Sequence, residues 1–68
     1  MTIQAKTVLQ TPTRLVAVVA IDNVTMQLAV DYCRIPTGYY SYTLDRVFTD
    51  LNSLQMYLLH DDTIKALL

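Results

Sequence analysis

The sequence has one cysteine, one glycine and one histidine, and it contains neither tryptophan nor glutamate. Cys33 has no second cysteine with which to form a disulfide within the chain, and one cysteine with one histidine cannot complete a four-ligand zinc site. A single glycine, Gly38, excludes a glycine-rich phosphate-binding loop. The small folds that depend on disulfides or structural zinc are therefore excluded, and no cofactor is expected.

The chain has 68 residues, 53% of them hydrophobic, and a net charge of -1. This length fits a single domain, 1–68, and the apolar fraction is not typical of disorder. The near-neutral charge gives no long-range attraction for phosphate. The longest aliphatic run, residues 15–21, is far shorter than the ~20 residues of a membrane-spanning helix. With no secretory signal and a lone cysteine, we expect a cytoplasmic protein and no membrane association.

Three stretches in the first half of the chain carry strand patterns. Residues 2–10 alternate weakly between apolar and polar side chains, and residues 24–33 alternate strongly. Residues 14–22 are apolar on both sides, which is typical of a strand covered on both faces. The first stretch places Ile3, Ala5, Thr7 and Leu9 on one face. The patterns together predict three strands.

Asp22 and Asn23 predict the turn between the second and third strands. Both residue types tolerate a left-handed backbone, so a two-residue hairpin is favoured. A hairpin of this length fixes the pairing of the two strands. It aligns Ile21 with Val24, Val19 with Met26, Ala17 with Leu28, Leu15 with Val30, Val18 with Gln27 and Val16 with Ala29. It also places Arg14 opposite Asp31, an opposite-charge pair.

The second half of the chain predicts a helix. Residues 35–38 favour a turn, and residues 39–43 favour either a short fourth strand or the entry into the helix. Thr43 is a good N-cap, and apolar residues then recur at helical spacing. They are Leu44, Val47, Phe48, Leu51, Leu54 and Leu58. We expect an α+β fold, a small two-layer domain in which an antiparallel β-meander of three or four strands packs against one C-terminal amphipathic helix.

Two arrangements of the last ten residues are open. If the helix continues, Met56, Tyr57, His60, Ile64, Leu67 and Leu68 lie together on the side opposite Leu51. Alternatively, residues 61–63 cap a new short helix, and the last apolar side chains fold back. In both arrangements the chain ends on two leucines that need a cover.

The free face of the sheet is predicted to be apolar, because Val16, Val18 and Ala29 share it. A domain of this size buries only ~60% of the surface of its unfolded chain, so little chain remains to cover that face. Burial within the monomer is the alternative. We expect an interface with a second copy, as a homodimer or higher oligomer, and with another protein. Its predicted residues are Val16, Val18, Ala29, Met56, Tyr57, Ile64, Leu67 and Leu68.

Four of the five tyrosines lie between positions 32 and 42. Tyrosines on a sheet can anchor protein contacts or stack on nucleobases. Secondary contacts are expected at Tyr39, Tyr40, Tyr42 and Arg34. A nucleic-acid-binding module that uses these residues is the alternative function, although the basic-aromatic motif of RNA-binding sheets is absent.

Cys33 and His60 are the only candidates for a nucleophile and its base, and nothing in their spacing supports such a pair. His60, Asp61 and Asp62 are metal-ligand types, but neighbouring helical residues point about 100° apart and cannot converge on one ion. We therefore expect no enzyme and no metal site. The sequence favours a small non-enzymatic regulatory or inhibitory protein that acts by protein–protein interaction as a homo-oligomer.

Overall fold

The computed structural model describes the backbone of residues 2–68 and every side chain in that range except that of Val8. These residues form β1 (Ile3–Gln10), β2 (Arg14–Ile21), β3 (Val24–Ile35), β4 (Gly38–Ser41), β5 (Arg46–Phe48), α1 (Leu51–Leu58) and α2 (Asp61–Leu67). The strands form one antiparallel sheet in the order β1-β2-β3-β4-β5. The predicted α+β class and meander are confirmed, but five strands and two helices replace the expected three or four strands and one helix.

The β2–β3 hairpin has the predicted register, and all seven pairs named above are present. Asp22 and Asn23 have φ values of 50° and 70°, as a type I′ turn requires at its two central positions. The guanidinium Nε of Arg14 donates a hydrogen bond of 2.7 Å to the Asp31 carboxylate. Because both side chains are about half exposed, this ion pair helps to specify the register and contributes little stability.

Strand β1 departs from simple alternation. Its register against β2 shifts between Thr7 and Leu9, and a shift of one residue exchanges the two faces of a strand. Leu9 therefore lies opposite Val16, on the other face from Thr7, where alternation did not place it. Gln10 consequently turns toward the helices, where its side-chain oxygen accepts a hydrogen bond of 2.9 Å from the Gln55 amide.

The predicted helix begins at Leu51 instead of directly after Thr43. Residues 46–48 form β5, and Asp45 has a φ of 50°, which interrupts a right-handed helix. Phe48 still reaches the core, but from a strand, whereas Val47 is 54% exposed. The first half of the apolar stripe is therefore not helical.

Hydrogen bonds from short polar side chains explain the missing helical turn. The buried Ser41 hydroxyl donates to the Asp31 carbonyl oxygen (3.1 Å) and accepts from the Leu44 N–H (3.2 Å). The Thr43 hydroxyl accepts from the Asp31 N–H at 3.0 Å, so it is engaged with β3 and does not cap a helix. Side chains of this type offer the backbone a turn in place of a helix.

Both helices lie on one face of the sheet, called here the inner face. The core residues are Leu15, Ala17, Val19, Val30, Tyr32, Phe48, Leu54, Leu58 and Ile64. They come from the inner face of the strands and from the helix sides that face it. The opposite face of the sheet is called the outer face.

The chain reverses after α1 and forms a second short helix, as in the second predicted arrangement, but the cap is His60 in place of residues 61–63, and Leu68 stays 56% exposed. His60 caps α2, and its Nδ1 accepts a hydrogen bond of 3.3 Å from the Asp62 N–H. Ile64 folds back completely into the core, and Leu67 packs against its edge. Neither helix in residues 2–68 is long and apolar enough to cross a membrane.

Gly38 is required by the contact between β4 and β5. Its φ is +145°, and a Cβ atom there would lie 2.1 Å from the Phe48 carbonyl oxygen. We expect Gly38→Ala to lower the free energy of unfolding by at least ~2 kcal/mol, through backbone strain and loss of this pairing. Urea denaturation measures this change. Thr37→Ala, in the same turn and exposed, is the control, and equal effects of the two substitutions would contradict the assignment.

Asp50 is the N-cap of α1, and its carboxylate accepts a hydrogen bond of 2.7 Å from the Ser53 N–H. This bond lowers the pKa of Asp50 below its ordinary value of 3.8. The carboxylate therefore stabilises the fold above that value, and its contribution is lost as the pH falls through the lower folded pKa. We expect Asp50→Ala to lower the Tm near neutral pH, with a difference that shrinks in acid. Thermal melts across this range test the prediction, and a constant difference would contradict it.

Candidate interaction surfaces

The outer face is apolar through its middle. The strand register brings Val16 beside Leu9 and Ala29, and it places Val18 between Lys6 and Gln27. Further apolar side chains on this face are Ala20 on β2 and Val47 on β5. None of the described outer-face residues is buried, because the helices pack on the inner face alone. Exposed apolar patches of this kind mark interaction sites in many proteins.

Charged groups on the outer face lie toward its margins. Lys6 is on the edge strand β1, and Arg14 at the start of β2 is paired with Asp31. The row of Leu9, Val16 and Ala29 carries no charge, and the row of Val18 has its one charge, Lys6, on the edge strand. Desolvating the Val16 row therefore costs little, since no unpaired charge lies within it.

Tyr40 and Tyr42 form an aromatic pair at one end of the outer face. Their rings meet edge to face, with centroids 5.3 Å apart, and Tyr42 is 60% exposed. The Tyr40 hydroxyl donates a hydrogen bond of 2.6 Å to the Asp45 carboxylate, which raises the pKa of Tyr40 above its ordinary value. Cys33 lies directly opposite Tyr40 in the register. This end of the face offers aromatic surface beside an acid.

The other two predicted secondary contacts lie elsewhere. Tyr39 is on the inner face, where its ring packs edge to face against Tyr32 at 5.8 Å. Arg34 is opposite Tyr39 in the register, so it projects from the side of the sheet opposite Tyr40. The structure therefore separates the basic residue from the exposed tyrosines. A nucleobase-stacking surface would combine the two.

The predicted interface residues fall on two sides of the molecule. Val16, Val18 and Ala29 are on the outer face, as the register required. Met56 and Leu68 are exposed on the helical side, at 67% and 56%. The remaining helical residues are at least partly covered by their own chain: Tyr57, Ile64 and Leu67.

Two of these helical residues pack within their own chain. The Tyr57 ring packs against Phe48, with centroids 5.5 Å apart, and lies under the Arg46 guanidinium at 4.6 Å. Ile64 is 0% exposed. The prediction that Ile64 contacts a partner is therefore wrong, because this side chain is buried in the core of its own chain.

A shallow groove of about 470 Å³ lies between α2 and the turn after β4. Its lining residues are Thr43, Leu44, Tyr57, His60, Asp62, Thr63, Ala66 and Leu67. No pattern in the sequence predicts this groove, because its two walls are brought together only by β5 and by the reversal between α1 and α2. Its walls mix apolar and polar groups, and it remains open to solvent.

Cys33 and His60 lie in different layers of the fold. Cys33 is on the outer face of β3, whereas His60 is at the junction of the two helices. They cannot act as a nucleophile and its base in this arrangement, since such a pair needs hydrogen-bond reach. Within residues 2–68 no group of three or more side chains of metal-ligand type is gathered at one place.

Comparison of the chain with known protein families, with characterised proteins and with solved structures finds no match. Its function is therefore argued from its own residues. Among these, the outer face has the clearest physical signature, because apolar side chains share one side of a sheet that no described element covers.

The Tyr40–Asp45 hydrogen bond can be tested by titration. Replacing Asp45 with Asn removes the carboxylate that raises the pKa of Tyr40. We expect the Tyr40 ring to ionise at a lower pH in Asp45→Asn than in the wild type, because the neutral amide stabilises the phenol less and repels the phenolate less. Ultraviolet or NMR titration measures the shift, with Tyr40→Phe to assign the signal. An unchanged Tyr40 titration would contradict this contact.

Proposed function

We propose that this protein is a small non-enzymatic regulator or inhibitor that acts by binding protein, and that the outer face is its docking surface. The observation that carries the proposal is the uncovered apolar middle of that face, around Val16, Val18 and Ala29. Its inner-face counterpart is covered by two helices. The helices thus cover one face of the sheet and leave the apolar middle of the other face uncovered.

The energetics favour association through this face. Full burial of an exposed aliphatic side chain contributes roughly 1.5–3 kcal/mol, and Leu9 and Val47 are each about half exposed. Several such side chains together can offset the cost of losing translational and rotational freedom, estimated at ~4–15 kcal/mol. Tyr40 and Tyr42 add aromatic surface of the kind that is enriched in binding hot spots.

The helical side is a weaker docking candidate. Met56 and Leu68 are exposed there, but Ile64 is buried and Leu67 is half covered. Its apolar surface is therefore broken into separate side chains. The nucleic-acid alternative has less support, since Arg34 and Tyr40 project from opposite sides of the sheet and Asp45 lies beside Tyr40.

A charge placed on the outer face tests the docking role. We expect the tagged wild-type chain, purified from its native cell, to retain a defined set of proteins that is lost in Val18→Glu. Val18 is opposite Lys6, so the new carboxylate gains an opposite-charge neighbour in the monomer but would be unpaired in an apolar contact. Quantitative mass spectrometry measures recovery.

Met56→Lys is the matched control, because it also places a charge at an exposed apolar position but on the helical side. We expect it to retain the same proteins as the wild type. Equal recovery by Val18→Glu and the wild type would contradict docking through the outer face. Retention of nucleic acid that weakens with added salt, and depends on Tyr40, would favour the alternative function.

A further inference from the structure

We infer that the occupant of the outer face is the outer face of a second copy of this chain, in a twofold dimer of two stacked sheets. The inference rests on the proposed function, since it names the partner of the same surface. The area of the face, its shape and the placement of its charges support it.

The sheet lies in the broad plane of the molecule. Strand β3 has 12 residues, which at ~3.3 Å per residue span ~40 Å, and five strands ~4.8 Å apart span ~19 Å. The molecule measures 40 × 20 × 16 Å, so these two spans match its two longer dimensions. The 16 Å dimension is then the direction in which the helices stack on the sheet.

The area of the outer face is sufficient for a reversible dimer. Each strand residue covers roughly 16 Å² of a sheet face, so the strands together present roughly 550 Å². Two copies would bury roughly 1,100 Å², which exceeds the ~1,000 Å² expected of a specific interface but is below the ~1,600 Å² of a standard one. We therefore expect a dimer that dissociates at micromolar concentrations.

The shape of the face suits sheet-on-sheet packing. Its central side chains are short: Val16, Val18, Ala20 and Ala29. Short side chains allow two sheets to approach to the ~10 Å separation found in β-sandwiches. The longer Lys6 and Arg14 side chains lie on β1 and at the start of β2, where they can extend toward solvent around the contact.

Charges on the face do not oppose a contact between identical surfaces. A twofold contact places the same patch on both sides, so an uncompensated central charge would meet or approach its own copy. Here Arg14 and Asp31 neutralise each other at 2.7 Å, and Asp45 accepts the Tyr40 hydroxyl. Lys6 remains, and it is on the edge strand.

The sheet edges are poor alternatives to the face. An edge strand recruits a partner strand when it is long, flat and uncharged. Edge strand β1 carries Lys6 and a register shift between Thr7 and Leu9, and the other edge, β5, has only three residues. These features disfavour continuous pairing of two sheets and leave the outer face as the surface for a second copy.

Sedimentation velocity of the full chain between ~1 and ~500 µM tests the inference. We expect a monomer–dimer equilibrium with a Kd in the micromolar range, weakened at least ~10-fold in Val18→Glu and unchanged in Met56→Lys. Circular dichroism and urea denaturation verify that each variant folds. If Val18→Glu does not fold, Ala29→Glu replaces it, because Ala29 is exposed on the same face.

A wild type that is monomeric throughout this range would overturn the inference. Binding of the dye ANS then shows whether the proposed function fails together with the dimer inference. Dye that binds the monomer and is lost in Val18→Glu would leave the docking surface intact for a different protein, whereas absence of dye binding would remove both. A dimer that persists in Val18→Glu and dissociates in Met56→Lys would place the interface on the helical side and also overturn the inference.

Discussion

One-sided burial is the constraint on which the rest of this structure depends. Two helices of eight and seven residues follow five strands, and they supply only enough apolar surface for one face of the sheet. Leu54, Leu58 and Ile64 from the helices pack against the inner face of β2 and β3, and these three helix side chains are fully buried. Nothing comparable remains for the outer face among the described residues. Among the described residues, the open face thus follows from the size of the sheet relative to its two helices, not from a local irregularity.

Strand β3 connects the two halves of the sheet. Its residue Asp31 bonds to both neighbouring strands, β2 and β4. Its carboxylate accepts from Arg14 on β2, while its carbonyl oxygen accepts from the Ser41 hydroxyl and the Tyr42 N–H. Its N–H donates to Thr43. The side chain and both backbone groups of this residue are therefore used where β2 begins and β4 ends. Such a junction holds the sheet as one layer, although β2 and β4 pair with different parts of β3.

Local patterns predicted the part of the fold that is governed by local chemistry. The Asp22-Asn23 turn fixed the β2–β3 register and thereby the positions of Val16, Val18 and Ala29 on the outer face. The helix over residues 44–48 was wrong because its apolar spacing is equally met by a turn and a short strand, and the deciding hydrogen bonds come from distant Asp31. Leu9 and Val47 were not predicted on the outer face, because the position of Leu9 depends on a register shift and that of Val47 on the formation of β5.

The way the tail folds bears on which surface of the protein binds a partner. The sequence predicts apolar residues without a cover on both the sheet face and the tail, but Ile64 of the tail is buried in the core of its own chain. The remaining apolar surface is continuous only on the outer face, next to sheet edges that Lys6 and the short β5 protect, whereas Met56 and Leu68 on the helical side are separate. Protected edges with an open face disfavour strand-by-strand growth, which has no natural end, and favour a contact that closes after one partner. A face that closes on one partner ends the assembly at a defined stoichiometry.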